Sequence, residues 1–363
     1  MKKSGVSVLV PAVLIASSLI AGPLFGQTPA ASAPKAVAPY TVTVFAKGNS
    51  TLSAPDSIAV VANHVFVGYG DGHAPDGSDG KNSQVVEYRI DNGAVVHVYT
   101  VPGHNDGLKL DPATGLLWAL QNEDGNSNLV IINPATQEQK LYAVGTGLHG
   151  GGYDDIVFRG CQVYFSASNP AHNPNTEQAI VTVRLGTTNV DVKEALAGNA
   201  SATELTTDAT ASLNLQDPDS MTLDPLGNIV LDSQADQELV IVTNPTSSAQ
   251  RALVLPLTYQ SPTGVTRVEV DDTTFATSDS GYLLVADKTL NAVYAIHKKA
   301  FAPGSAYTAA DGAHFVGALD MTSGFITPIV TGLTNPGGLV FVDTSGVPSQ
   351  TGIACASADA SSH

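Results

Sequence analysis

Residues 104–120 read HNDGLKLDPATGLLWAL, and the fold follows from this stretch. It opens on Asn105-Asp106-Gly107, runs through a short apolar segment, and reverses at Asp111-Pro112-Ala113-Thr114-Gly115. Pro presets φ for such a turn and Gly accepts the positive φ that closes it. A second apolar segment, 116–120, follows at once. Strand, tight turn, strand is the local reading, with no 3.6-residue periodicity.

The same pattern recurs along the chain. Pro55-Asp56-Ser57-Ile58, Tyr153-Asp154-Asp155-Ile156, Pro218-Asp219-Ser220-Met221, Val270-Asp271-Asp272-Thr273 and Pro336-Gly337-Gly338-Leu339 open similar segments. The marker positions 56, 106, 154, 219, 271 and 337 are separated by 50, 48, 65, 52 and 66 residues. Third strands are expected at 85–90, 129–132 and 239–242, and fourth strands at 95–101, 140–144 and 252–257. Units of four strands that cannot cover both of their faces must stack on one another, which describes an all-β propeller of four-stranded blades. Six blades are the favoured count and five the alternative; a pair of β-sandwiches is the competing architecture. The alternating segment 40–46 is expected to close the ring beside the strand at 339–342. Residues 170–216 and 298–313 read as insertions that stretch the third and fifth units.

Lys2 and Lys3 ahead of an apolar run from Val6 to Phe25, followed by small residues, read as a secretory signal over 1–26. The Ala/Pro/Ser-rich residues 27–39 read as a flexible spacer, 40–343 as the propeller, and 344–363 as a loose tail. The expected location is secreted or periplasmic, with no membrane span once the signal is removed. Cys161 and Cys355 are the only cysteines, and export would let them form a bridge.

Charged residues make up 13% of the chain, about half the usual ~25%. Acidic side chains number 33 against 16 basic ones, for a net charge of −17. Such a surface repels phosphate backbones, which argues against nucleic acid and for a cation, a small molecule or a basic partner. If each marker begins the innermost strand of its unit, Asp56, Asp106, Asp154 and Asp219 converge on one channel mouth, with Asn105, Asp155, Asp217 and Asp271 close by. Confined carboxylates raise one another's pKa or recruit a cation, and oxygen donors suit hard divalent ions. His104 and His149 lie on connections to neighbouring units, where either could transfer a proton or join a metal shell. The Asp/Gly-rich loops 71–82 and 124–128 lack the EF-hand pattern and read as turns, and Gly150-Gly151-Gly152 is not followed by the Lys-Ser/Thr of a phosphate loop.

Three segments, 104–120, 217–236 and 153–156, resemble the blade openings of gluconolactonase/regucalcin-like propellers and the related NHL-repeat propellers. The resemblance implies a divalent metal at the channel mouth that assists hydrolysis of sugar lactones. By position it makes Asp219 a metal ligand and the proton-transferring residue, Asn105 and Asp106 substrate contacts, and Asp154 a metal ligand in place of an Asn. The family's remaining ligand is a Glu, whose nearest counterpart here is the Pro336-Gly337-Gly338 opening, with no carboxylate.

The resulting expectation is an exported, monomeric propeller that binds a divalent cation (Ca²⁺, Mn²⁺, Mg²⁺ or Zn²⁺) or a small ligand. Its candidate metal ligands are Asp154, Asp219, Asp155 and Asp56. The alternative is a metal-dependent hydrolase of lactones or related esters, with Asp219, His104 and His149 as catalytic residues and Asn105 and Asp106 holding substrate. A scaffold that presents its face to a protein partner is the third reading.

Overall fold

The computed structural model describes residues 33–346. Among these residues there is no α-helix, only strands, turns and one 3-10 turn at Asp311–Ala313. The strands form antiparallel four-stranded units. The first pairs Pro55–Val61, His64–Tyr69, Asn82–Arg89 and Val95–Pro102 in chain order. The second pairs Asn105–Leu110, Leu117–Gln121, Asn128–Ile132 and Gln139–Val144, and the third Ile156–Arg159, Gln162–Ser166, Gln178–Leu185 and Asn189–Ala197. These two join into an eight-stranded sheet because their outermost strands touch in parallel, Ala143 opposite Asn189 and Val144 opposite Val190. The fourth unit runs Pro218–Leu223, Ile229–Ser233, Glu238–Thr243 and Arg251–Pro256, and Ser201–Glu204 extends its outer edge in parallel.

Burial along the strands explains their sequences. Leu117–Gln121 and Ile229–Ser233 are buried at every position, whereas the outermost Gln139–Val144 buries only Tyr142 and Val144. A strand covered on both faces reads as an unbroken apolar run, and one at the rim alternates. The apolar side chains gather into clusters that each span two consecutive units. One joins Trp118, Leu120 and Ile131 to Phe158, Phe165 and Val181; another joins Ile58, Val67 and Tyr88 to Leu284, Ala286 and Val342, linking the end of the chain to its beginning. Each fully buried side chain of this size contributes about 1.5–3 kcal/mol, so the units are held by their shared faces. The first strands of the units also pack side by side: Pro55–Val61 on Asn105–Leu110, and Pro336–Asp343 back on Pro55–Val61.

The last two units are interleaved, which departs from the expected strand order. Thr273–Phe275 pairs with Ala306–Ala310, then Phe315–Leu319 and Phe325–Thr331. The hairpin between them, Gly281–Asp287 and Ala292–His297, belongs instead to the sheet of Pro336–Asp343. Residues 298–313 are therefore no insertion, since they return the chain to its own unit. Thr41–Lys47 pairs with Ala292–His297 at the edge opposite Pro336–Asp343, so the expected pairing beside 339–342 is corrected to the other side of that sheet. Residues 170–216 likewise hold two full strands of the third unit and the edge of the fourth.

The described end of the spacer is structured, with Lys35 and Ala36 opposite Thr331 and Val330. Thr344 donates its backbone N–H to Ser280. The expected signal at 1–26 and Cys355 lie outside the described residues, while Cys161 is disulfide-bonded. No helix among the described residues is long and apolar enough to cross a membrane.

A carboxylate ring at the strand openings

The marker residues share a backbone device. In the first unit Pro55 faces Tyr69 and Ile58 faces Val67, so Asp56 and Ser57 hold one residue more than the partner strand. The same extra residue falls at Asp106-Gly107, Asp219-Ser220 and Gly337-Gly338. At Asp154-Asp155 both residues bond to Ser166, and at Asp271-Asp272 both bond to Ala309. A β-bulge turns a side chain away from the ladder, and here it does so at the acidic markers.

The side chains so aimed do converge. Asp56, Asp106, Asp154, Asp219 and Asp271 are all buried, and hydrogen bonds link Asp56 with Asp106 and Asp154 with Asp219. A contact between two carboxyl groups needs a shared proton or a cation between them. Burial, reinforced by their acidic neighbours, raises the carboxyls of Asp106, Asp154 and Asp219 well above the ordinary carboxylate range. Burial also raises Asp271 well above that range, against the pull of Lys288.

Two ring members were not foreseen from sequence. Glu123 lies just beyond Leu117–Gln121 and hydrogen-bonds with Asp106. Burial, with the Asp154 charge nearby, pushes its carboxyl up to about 8. The turn that carries it lies against Gly152, where any Cβ would overlap the carbonyls of Asn122 and Glu123. The glycine run 150–152 thus serves close packing beside Asp154. Lys288 is the other. Its Nζ lies 2.8 Å from Asp56 Oδ2 and 3.3 Å from Asp271 Oδ2. Burial alone would raise the Asp56 carboxyl, but Lys288 overcomes this and holds it below the ordinary range.

Oxygen atoms of Asp106, Glu123 and Asp154 lie within 4.8 Å of one another, as do ligand atoms of Asp56, His104 and Asp106. The first set offers only hard oxygen donors, as Ca²⁺, Mg²⁺ or Mn²⁺ require; the second adds an imidazole, which suits Zn²⁺ or Mn²⁺ better.

The other expected site residues are placed differently. Asp155 Oδ2 lies 2.8 Å from Lys109 Nζ and accepts the backbone N–H of Met221 at 2.8 Å, so it stitches the third unit to the fourth. Asp272 Oδ2 accepts the N–H of Leu339 at 2.8 Å in the same way. At Gly107 and Gly338 the neighbouring strand comes too close for any side chain: a Cβ would overlap the carbonyls of Asp154 and Asp56. Asn105 is wholly buried and donates through Nδ2 to the Leu120 carbonyl at 3.0 Å, with its Oδ1 turned toward Gly68. His149 bonds through Nε2 to the Gly152 carbonyl at 2.7 Å and stacks edge-on against Tyr153. Its polar neighbours are Gly152, Gln178 and Ser168, none of them a carboxylate. His104 does reach the ring, beside Asp56, and burial lowers its pKa.

Neither a protein-family model nor a curated protein sequence matches the chain. Among solved structures it is similar to virginiamycin B lyase from Staphylococcus aureus (TM-score 0.46, 11% identity, covering 78% of this chain and 86% of that one). It is also similar to a structural-genomics target assigned as a gluconolactonase (TM-score 0.45, 11% identity, 82% and 83% covered). A third is regucalcin from Agrobacterium tumefaciens, described as a calcium-binding protein (TM-score 0.45, 12% identity, 78% and 76% covered). These neighbours include the family whose motifs the sequence resembles, and identities this low transfer no activity.

Proposed function

We propose that the chain is a six-bladed β-propeller, closed through the sheet that unites Thr41–Lys47 with Pro336–Asp343, whose channel mouth binds a divalent cation. The observation that carries this reading is the trio Asp106, Glu123 and Asp154, whose oxygens fall within 4.8 Å of one another. Asp219, hydrogen-bonded with Asp154, stands ready as a fourth donor. Lys288 pairs with Asp56 and Asp271 rather than with the trio, so the trio's charge is left for an ion or for protons. Closure of the ring is supported by the packing of Pro336–Asp343 on Pro55–Val61 and by the apolar cluster they share. Export to the periplasm or the medium is supported by residues 1–26 and by the disulfide at Cys161.

A hydrolytic role is the second reading, favoured by one feature. Asp219 hydrogen-bonds with Asp154 beside the trio, and burial raises its carboxyl well above the ordinary range. With the trio holding the ion, Asp219 would take the proton of an attacking water and pass it to the leaving group. A bound divalent ion would polarise the carbonyl of a lactone or ester.

The test is the melting temperature of the purified protein in EDTA and after return of Ca²⁺, Mn²⁺ or Zn²⁺. A rise on return of one cation is expected, and a screen of sugar lactones and simple esters with that cation then decides the hydrolytic reading. A melting temperature indifferent to EDTA and to every cation would contradict the metal site.

A further inference from the structure

One ring position is filled by the chain itself. Gly337 is the sixth marker and has no carboxylate, and Lys288 lies across it. A Cβ built on Gly337 would come 2.7 Å from Asp56 Oδ1, 3.0 Å from Lys288 Cε and 3.4 Å from Asp271 Oδ2. Any larger residue at 337 would therefore push back the Asp56 carboxylate and crowd the Lys288 stem.

The placement of this lysine follows the repeat. Lys288 donates its backbone N–H to the Asn335 carbonyl, two residues before the marker. Gly70, Asn122, Ser168 and Gln234 make the equivalent bond to Ala54, His104, Gly152 and Asp217. Among these register-matched positions only 288 is charged, and it belongs to the sheet whose own marker is Gly. The loss of an acid and the gain of a base thus sit on adjacent strands. Together they place a positive charge between the carboxylates of the two flanking units.

We propose that Lys288 is a tethered counter-cation that occupies a second cation position, formed by Asp56 and Asp271, and so limits the mouth to a single divalent ion. A cation at this place is observed, because the chain supplies it at 2.8 and 3.3 Å from two carboxylates. The position also has a further donor in reach. His104 stands with Asp56 and Asp106 in one ligand group, and its Nδ1 is buried without a hydrogen-bond partner. With the ammonium removed, Asp56 and Asp271 lose their counter-charge, and His104 beside Asp56 adds an imidazole, donors of the kind that take Mn²⁺ or Zn²⁺. The inference rests on the reading of the ring as a divalent-cation site, and it names the residue that sets how many ions that site takes.

The experiment counts Mn²⁺ bound per chain by equilibrium dialysis in wild type, Lys288→Met and Lys288→Arg. Methionine keeps the apolar stem without the charge, and arginine keeps the charge. Lys288→Met is expected to hold one more ion than wild type, Lys288→Arg the same number as wild type. Adding Asp56→Asn to Lys288→Met should return the count to that of wild type. Equal counts in wild type and Lys288→Met, including zero in both, would overturn the inference, as would an extra ion in Lys288→Arg. The wild-type count alone decides the metal reading, whereas the difference between variants decides the role of Lys288. Should Lys288→Met unfold in EDTA, recovery on return of Mn²⁺ supports an ion taking the place of the ammonium. Failure to recover overturns it.

Discussion

Asp154 and Asp155 adjoin each other on one bulged strand opening, both buried to within a few per cent, and their partners differ in kind. Asp155 meets an ammonium and a backbone N–H, each at 2.8 Å. Asp154 meets other acids: Asp219 by hydrogen bond, with Asp106 and Asp271 nearby. The contrast extends to the layers they belong to. Asp155 and Asp272 with Lys109 form a layer in which opposite charges and backbone donors answer each carboxylate. Asp106, Glu123, Asp154 and Asp219 form a layer in which they do not. Buried acids set against one another oppose folding, so the second layer is where an outside cation would stabilise most.

Several measurements would break or sharpen that contrast. The largest effect on stability is expected from Asp155→Ala, which strips Lys109 and the Met221 N–H of a buried partner. A loss of about 3 kcal/mol in urea unfolding is expected, as for other broken buried pairs, with cation binding retained. Gly107→Ala comes next. Its new Cβ must push back the Asp154 carbonyl, at a cost of about 1–3 kcal/mol as for other overpacked sites. Because it moves Asp154, it should also weaken cation binding in a calorimetric titration, which Asp155→Ala should not.

The smallest effect is a slope with pH. Glu123 is raised from an ordinary 4.5 to about 8 by burial and acidic neighbours. A raised carboxyl binds its proton more tightly in the native state, so its contribution to stability is full below pH 4.5 and is lost as pH climbs through about 8. Asp106, Asp154, Asp219 and Asp271 shift the same way, while Asp56, lowered by Lys288, contributes in the opposite sense. The melting temperature in EDTA should therefore fall between mildly acidic and mildly alkaline pH, and saturating Ca²⁺ should flatten the curve. A flat curve in EDTA would mean that the acids of the two layers are equally well answered.

The markers were legible in the sequence because the strand openings at 56, 106 and 219 repeat a Pro/Asn-Asp-Ser/Gly chemistry that 154 and 271 echo as Asp-Asp. That one residue of each pair stitches the sheets while the other faces the ring was not legible. The division depends on the bulge, and Asp154-Asp155 reads the same in either order. The interleaving of the last two units was hidden for a related reason. The runs at 281–297 and 306–330 are alike in length and apolar character, and only the neighbour each one covers decides its sheet. Glu123 sat in a loop that reads as a turn, and Lys288 beside an ordinary strand end. Nothing local in either stretch reveals that packing of the units brings them beside Asp106 and Asp56. Position just past the second strand was the available signal for Lys288, since 70, 122, 168, 234 and 288 share one backbone bond, and Glu123 follows directly on 122.

The most direct test of the account is a calorimetric titration of Ca²⁺ and Mn²⁺ into wild type, Asp154→Asn and Asp155→Asn, run side by side with the melting temperature of each. The account predicts that Asp154→Asn loses the ion, with affinity down about a hundredfold or more, equivalent to ~3 kcal/mol, and melts no lower than wild type in EDTA. It predicts that Asp155→Asn keeps the ion and melts lower. An ion retained by Asp154→Asn, or lost equally by both variants, would contradict the division of labour between these two neighbours.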